Sequence, residues 1–560
     1  PETVLAMVET RLGRLALEAR RVLRAASVFG EVCWEHGVIV LLGAAMGPAI
    51  VGDWLAQLVE QEVLTVRPVS RFPGQRELAF RHSLLREGAY ATLTDEDRRL
   101  GHRLAGEWLE HHGEADPMVL AGHFERGGDG ARAASYYLRA SEQALHVLDV
   151  DAIMARAGLG LGCAPPPELR IALLGMRCDA SSLRWQLIGV TMADAEELLR
   201  TAPRGSVPWA QGMNAYTEGM MVAGRIPDVL AALALLRDVE PGPEAMGKMA
   251  LTFLSGTCLY DAFGQISDGT EIEGRFFAII RAAGEREPIA RFWWNVLVGM
   301  RASYAHEDPW SGVVHSDAIR PIYDVTGGEQ IFLNMELFRG LNRWYLGALA
   351  PADEILAEIA AADHSLGVAS SMRRFGLCWV RADRGALDEA RIVAAQLAEY
   401  GHAHRNTLEE GRGRWLLAEV LRRMGDLDAA EREIPSALAM ALPLEHPGVL
   451  ATLSGLRLGQ GRAAEALAAA ENAVSRCGAM GGCGMFRGAF VRLAHAEALH
   501  ATGAHDAAKH AIAAAQTQLF AIAARIGDPD YKKCFLDTVP ENARTLALAR
   551  AWLGDAATRV

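Results

Sequence analysis

The second half of the chain repeats a short signature in which a glycine is followed five residues later by an alanine, with an acid between them. Successive copies start 40, 36 and 42 residues apart. A period in this range is typical of stacked helical hairpins, because one hairpin cannot bury its own apolar face and must pack against the next. The copies are GALDEA from Gly385, GDLDAA from Gly425, GRAAEA from Gly461 and GAHDAA from Gly503, with a looser copy, GALAPA, from Gly347.

Each position of the signature has a physical role. The glycine closes the first helix in a left-handed conformation that other residues adopt only at a cost. The acid falls near the start of the second helix, where its charge favours the positive end of the helix dipole. The alanine is small enough for the two helices to pack closely. We therefore interpret Gly385, Gly425, Gly461 and Gly503 as structural residues of repeat turns.

Composition limits the kind of protein this can be. The 560 residues are 51% hydrophobic and 22% charged, which is ample for a packed core and argues against disorder. The net charge of −13 disfavours a nucleic acid or an anionic membrane as partner. Eight scattered cysteines without a C-x-x-C pair, and no signal peptide, predict a cytoplasmic protein. The chain starts at Pro1 without an initiator Met, so we expect a piece of a longer polypeptide.

The first 112 residues have a different pattern. Helical spacing over three segments, residues 19–29, 37–42 and 50–63, precedes a predicted β-hairpin. The hairpin strands are VLTVRPV (63–69) and RELAFRH (76–82), with a Pro/Gly turn between them. Three helices followed by a hairpin is the winged-helix arrangement.

Residues 113–560 contain helical patterns only. The predicted fold is therefore all-α: a winged-helix domain over residues 1–112 and a right-handed, tetratricopeptide-like (TPR-like) solenoid over residues 113–560, with roughly twelve helical pairs.

DNA binding is disfavoured for the winged helix. Its third helix carries Asp53, Glu60 and Glu62 and no basic residue, so its charges would repel the phosphate backbone. A phosphate-loop-like match, GPEAMGK at 242–248, is followed by Met249 where Ser or Thr should hold Mg²⁺. We predict no catalytic residue in this chain.

Other side chains leave alternatives open. Cys477 and Cys483 flank a Gly/Met turn, which is compatible with a disulfide or metal pair or with two unlinked thiols. The aromatic residues 292–294, with Trp310 and Trp344, fit either core packing or a shelf that faces a ligand. Five histidines cluster early without further soft ligands, so no metal site is predicted. They are His82, His102, His111, His112 and His123.

The segment 80–144 resembles the winged-helix-to-repeat junction of bacterial STAND signalling ATPases, which join an ATPase core to a repeat sensor. The tail, residues 526–554, resembles the ends of large bacterial Ser/Thr kinases that carry this module. The junction residues that match are Phe80 and His82, Leu84 to Glu87 (with Arg86), Tyr90, Arg98, His102, Ala121, His123 and Phe124.

The resemblance implies a regulatory and sensory module. In that family the winged helix closes on the nucleotide domain in the ADP state, and a histidine contacts the phosphates. The matching residue is His82, and the alternative is that His82 only caps a helix or packs at the junction. ATP or ADP and Mg²⁺ would bind upstream domains acting in cis, the solenoid would bind a protein or small-molecule effector, and oligomers would form on activation. A transcription activator or a cyclase-fused regulator with the same repeat sensor is the alternative function.

Overall fold

The structure is a computed structural model. It describes residues 12–184, 187–283, 288–319, 321, 329–361, 368–483 and 486–554. These residues form two compact units, one up to Val229 and one from Leu230 onward. The predicted domain boundary after residue 112 remains a prediction.

The N-terminal region contains the predicted helices and the predicted hairpin. Strands β2 and β3 pair antiparallel, which confirms the hairpin, and a third strand, β1, pairs with the other edge of β3. Sequence reasoning missed β1 because its three residues are too few to show a strand's alternation. The elements are α1 (Leu17–Phe29), β1 (Val32–Trp34), α2 (Glu35–Leu42), α3 (Pro48–Glu60), β2 (Leu64–Val66), β3 (Glu77–Phe80), α4 (Ser83–Ala91) and α5 (Asp95–His111).

From Pro117 to the end of the described chain, the regular structure is helical. Within each unit most of the α-helices pack against the next helix along the chain, so the all-α, TPR-like fold is confirmed. In the first unit the series starts with α6 (Pro117–Arg126), α7 (Gly130–His146), α8 (Val150–Gly162), α9 (Pro167–Leu183), α10 (Ile188–Thr201) and α11 (Val207–Val222), and α12 (Ile226–Leu233) spans the boundary between the units.

The second unit continues the same hairpin pattern to the end of the described chain. Its helices are α13 (Met246–Ala262), α14 (Ile266–Ala283), α15 (Pro288–Tyr304), α16 (Pro309–Asp317), α17 (Glu329–Tyr345), α18 (Leu349–Ala361), α19 (Val368–Asp383), α20 (Leu387–Ala403), α21 (Thr407–Met424), α22 (Leu427–Met440), α23 (His446–Gly459), α24 (Ala463–Met480), α25 (Gly488–Ala501), α26 (His505–Arg525), α27 (Pro529–Asp537) and α28 (Pro540–Leu553).

The repeat glycines have the backbone conformation that the signature requires. Their φ angles are +82° at Gly385, +86° at Gly425, +74° at Gly461 and +84° at Gly503, all in the left-handed region. The acid of each copy lies in the first turn of the following helix. The alanine of each copy is fully buried. The signature is thus explained by helix termination, dipole compensation and close packing, in that order along the chain.

The core of the second unit contains a ladder of tryptophans. Trp344, Trp379 and Trp415 lie on α17, α19 and α21, and all three are fully buried. Phe486, from the segment before α25, packs among them with ring-centroid distances of 5.6, 4.4 and 5.9 Å, respectively. A residue from a late repeat therefore completes the core of three earlier repeats. Phe292 and Trp344 are buried, which confirms core packing for these two aromatic residues.

Candidate functional site

At the predicted junction, three polar side chains join three successive helices. The Tyr90 hydroxyl of α4 lies 2.7 Å from Nε2 of His102 on α5. Nδ1 of His102 lies 3.1 Å from Nδ1 of His123 on α6. The hydrogen-bonding groups of these three side chains are satisfied when the Tyr90 hydroxyl donates to Nε2 of a neutral His102, which in turn donates from Nδ1 to Nδ1 of His123. The structure thus brings together three of the residues that the sequence singles out.

Burial keeps both histidines neutral. It lowers the pKa of His102 to about 3, with the neighbouring His123 and Arg126 adding to the effect. Burial also lowers the pKa of His123 to about 4, and Arg126 contributes. Two neutral imidazoles between helices form a structural link rather than a proton-transfer site at neutral pH.

The remaining predicted junction residues occupy different environments. Phe80 is buried in the core of the N-terminal region. Arg98 lies over the Tyr90 ring at 5.2 Å, and Arg86 pairs with Glu87 at 3.5 Å. His82 is exposed at the N-cap position of α4, where its side chain makes no capping hydrogen bond. His82 is therefore separate from the Tyr90–His102–His123 contact chain.

The second unit contains an open cleft of about 380 Å³ between α21, α23, α25 and α28. Its lining combines apolar and charged side chains. Arg544 is 58% exposed and pairs with Glu497 at 3.0 Å. The lining residues are Ala451, Gly455, Leu458, Phe490, Leu493, Ala494 and Pro540 on the apolar side and Arg422, Arg423, Glu497, Glu541 and Arg544 on the charged side.

A buried charge network lies behind this cleft. Arg487, the residue before α25, donates to Asp383 at 2.9 Å and to Glu541 at 3.1 Å. Arg423 donates to the other oxygen of Asp383 at 2.8 Å, and the Trp344 indole N–H donates to Asp383 at 2.8 Å. The network therefore joins α17, α19, α21, α25 and α28. We call these five residues the Asp383 network.

The carboxylates of this network differ in how well they are compensated. Burial alone would raise the pKa of Asp383, but Arg487 and Arg423 outweigh it and hold that pKa below its usual value. Burial raises the pKa of Glu541, and Arg487 offsets only part of the rise. Burial opposes the ionisation of Glu419 as well, yet Arg422 and Arg423 lower its pKa to about 2. Asp383 is thus an ionised carboxylate of the network, and Glu419, which lies outside the five residues and pairs with Arg422 and Arg423, is another.

Sequence reasoning found neither the cleft nor the Asp383 network. One available signal was the spacing of Trp344, Trp379 and Trp415, at intervals of 35 and 36 residues, which matches the repeat period. The lone arginine at 487 carries no local pattern, because its partners lie far away in sequence.

Metal binding and membrane insertion find no support in the described part of the chain. Within the residues that the structure describes, no group of three or more His, Cys, Asp or Glu side chains is arranged to hold a metal ion. Nor does any described helix combine the length and apolarity needed to span a membrane. Cys477 and Cys483 are free thiols in contact with each other.

Comparisons with known proteins give similarity of architecture only. No protein-family model matches the chain, and no curated protein sequence matches it. Among solved structures, a Rap protein complexed with competence and sporulation factor aligns with 66% of this chain and 99% of its own length, at 11% identity and a TM-score of 0.40.

Two further structures align over more of this chain. A signal transduction ATPase with numerous domains and a tetratricopeptide-repeat sensor, from Pyrococcus horikoshii, matches 84% of this chain at 11% identity and a TM-score of 0.34. The match covers only 64% of that protein's length. Yeast Tom70 matches over 82% of this chain and 92% of its own, at 11% identity and a TM-score of 0.33. Identities and scores this low assign no function to this chain.

Proposed function

We propose that this chain is a regulatory interaction module whose cleft binds a segment of an effector protein. The observation that carries the proposal is the continuity between the cleft and the Asp383 network. Arg423 and Glu541 line the cleft, and each also belongs to that network. A ligand that displaces either side chain acts on a set of contacts joining five helices. Ligand binding in the cleft and a change in helix packing would therefore be coupled through Arg423 and Glu541.

The lining indicates the chemistry of the occupant. Leu458, Leu493 and Phe490 offer apolar contacts for an aliphatic or aromatic side chain. The exposed Arg544 can bind a carboxylate, because a guanidinium donates to carboxylates in a planar, bidentate geometry. We therefore expect a peptide segment in which an apolar residue lies next to an acidic one.

Panning a random peptide display library against the folded chain tests this proposal. Enriched peptides should share an acidic residue beside an apolar one. By titration calorimetry, Arg544→Glu should weaken them at least tenfold. The matched control is Arg476→Glu, because Arg476 is an exposed arginine of α24 outside the cleft. Peptides that bind both variants with the affinity they have for the wild type would count against the cleft as the binding site. A library that enriches nothing would do the same.

We further propose that the module belongs to a multidomain signalling ATPase of the kinase-fused branch. The support is the resemblance of the junction and the tail, together with a helical and three-stranded N-terminal region that can act as the restraining winged helix. ATP or ADP and Mg²⁺ would then bind upstream domains, and activation would be accompanied by assembly into oligomers. The gene sequence that precedes position 1 provides the test. A phosphate loop and kinase catalytic motifs there support the proposal, and a start codon directly before Pro1 contradicts it.

His82 fits the nucleotide-contacting role that the resemblance implies. Its side chain is exposed, and the first turn of α4 contains no acidic residue that would repel a phosphate. In the longer polypeptide, His82→Ala should speed ADP dissociation. His111→Ala, which changes an exposed histidine on α5, is the control. Equal ADP dissociation rates in the wild type and the His82 variant would remove this role while leaving the effector proposal untouched.

A further inference from the structure

Cys477 and Cys483 lie together at the C-terminal end of α24. Both side chains belong to the same small apolar cluster, with Cys477 buried in it and Cys483 packed against it. Gly481 has φ +79°, and the Gly482 N–H donates to the Cys477 carbonyl at 3.1 Å. This left-handed turn folds the chain back on itself, so that the second thiol returns to the first.

The surroundings of the two thiols are unequal. Nη1 of Arg492 lies 3.9 Å from Sγ of Cys483 and 2.9 Å from Oε1 of Glu307. The neighbouring Cys477 lowers the pKa of Cys483, and Arg492 adds to this effect against burial and Glu307. The neighbouring Cys483, together with burial, raises the pKa of Cys477. Cys483 is thus the more acidic thiol, and Cys477 keeps its proton.

Two other cysteines provide a contrast within the same chain. Burial raises the pKa of both Cys258 and Cys378 to about 12, which strongly disfavours the reactive thiolate. The pair at the end of α24 combines a nearby guanidinium, a second thiol and a short glycine-containing turn. A nearby cation and a second thiol are features of cysteine pairs that oxidise reversibly, and Cys483 is the more exposed of these two thiols.

We propose that Cys477 and Cys483 form a peroxide-sensitive dithiol that closes to an intramolecular disulfide. The Cys483 thiolate attacks one oxygen of hydrogen peroxide and breaks the O–O bond, which gives a sulfenic acid and hydroxide. Cys477 then attacks the sulfenic sulfur, and water leaves as the S–S bond forms. The hydroxide takes the proton that the Cys483 thiol lost when it ionised. Peroxide is reduced by two electrons and the two thiols are oxidised by two, so the step balances.

Oxidation at this site would affect a neighbouring contact between helices of the second unit. Glu307, from the turn between α15 and α16, contacts Arg492 of α25 and accepts from the Gln518 amide of α26 at 2.9 Å. The dithiol therefore lies beside the contact between early and late helices of the second unit. Disulfide formation removes an ionisable thiol from beside Arg492, next to the contact that Arg492 makes with Glu307.

Mass spectrometry can test the proposal directly, because trypsin releases both cysteines on one peptide, residues 477–487. After treatment of the full chain with hydrogen peroxide, this peptide should lose two hydrogens, and dithiothreitol should restore them. Methionine oxidation on the same peptide adds oxygen and is distinguishable by mass. Cys534 serves as the internal control thiol, because it is half-buried and lies outside this cluster.

Serine variants distinguish the thiol that attacks peroxide, Cys483, from the thiol that closes the disulfide, Cys477. With Cys477→Ser, peroxide should give a sulfenic acid at Cys483 that dimedone traps. With Cys483→Ser, Cys477 should stay unlabelled under the same conditions. Circular dichroism establishes that each variant is folded. A peptide that keeps two free thiols at peroxide doses that oxidise Cys534, or dimedone labelling of Cys477 instead of Cys483, would overturn the proposal.

Discussion

Arg487 donates a 2.9 Å hydrogen bond to Asp383, although the two residues are 104 positions apart in the sequence. Both side chains are buried, and the guanidinium also lies 4.2 Å from the centre of the Trp344 ring. One arginine thus connects the ends of α17 and α19 to the start of α25. The second unit depends on this contact in a way that repeats with only neighbouring contacts do not.

Replacing Arg487 should be costly, because it leaves Asp383 and Glu541 buried without their shared cation. We expect Arg487→Met to lower the free energy of unfolding by roughly 3 to 5 kcal/mol in urea denaturation. The control Arg476→Met changes an exposed arginine and should change the free energy of unfolding by about 0.5 kcal/mol or less. Adding Asp383→Asn to Arg487→Met should recover part of the loss. Equal midpoints for the two single variants would contradict the importance of the Asp383 network.

Removing the Phe486 ring should leave a cavity among three tryptophans. We expect Phe486→Ala to cost about 3 to 5 kcal/mol of unfolding free energy. The tryptophan fluorescence should shift to longer wavelength, because water reaches the indoles. Val474→Ala, at a partly exposed position of α24, is the control and should leave the emission maximum unchanged. An unshifted maximum in the Phe486 variant would mean that the ring does not shield the tryptophan ladder.

Alanine substitution at two glycines should give opposite results. Gly425 has φ +86° and open space where an alanine methyl group would lie, so Gly425→Ala should cost about 1 to 2 kcal/mol from backbone strain alone. Gly478 lies within α24 and also has open space there, so Gly478→Ala should stabilise by about 0.5 to 1 kcal/mol. Thermal unfolding of both variants compares the signs. Two shifts in the same direction would contradict the left-handed assignment.

The junction histidines should make stability depend on pH. Because the fold lowers the pKa of His102 to about 3, protonation favours the unfolded state. This contribution is complete above about pH 6.5, the ordinary histidine pKa, and is lost as pH falls towards the folded value. Between about pH 7.5 and pH 5, His102 should account for a loss of roughly 2 kcal/mol.

Unfolding of His102→Gln across the same pH range measures that contribution. Glutamine can still hydrogen-bond to Tyr90 but does not titrate, so its pH profile should be flatter than that of the wild type. His111→Gln, at an exposed histidine of α5, should follow the wild-type profile. Parallel profiles for wild type and His102→Gln would show that His102 is not held neutral.

Local rules account for the parts of the fold that the sequence predicts. The glycine-to-alanine signature predicts helix ends and hairpin packing, because each of its residues acts on its immediate neighbours. The β2–β3 hairpin is predicted for the same reason. Strand β1 is missed, because three residues carry too little periodicity and its pairing with Ala79 and Leu78 is non-local.

The candidate site is less predictable for a related physical reason. Tyr90, His102 and His123 lie in one segment that resembles a known junction, so the sequence singles out all three, although not their mutual contacts. Arg423, Arg487 and Glu541 come together only after the helices from α22 to α27 have packed. No short sequence window contains the set, and charge patterning along one helix does not reveal it.

The insertion of Phe486 and Arg487 also bears on how the second unit folds. Arrays with only nearest-neighbour contacts gain and lose stability one repeat at a time. Here Arg487 contacts the Trp344 carbonyl across 143 residues of sequence, so the early hairpins complete their core only after α24 has formed. Unfolding of this unit should therefore be more cooperative than its repetitive sequence suggests. Shortening the chain before Phe486 would expose indole surface in hairpins that the cut does not touch.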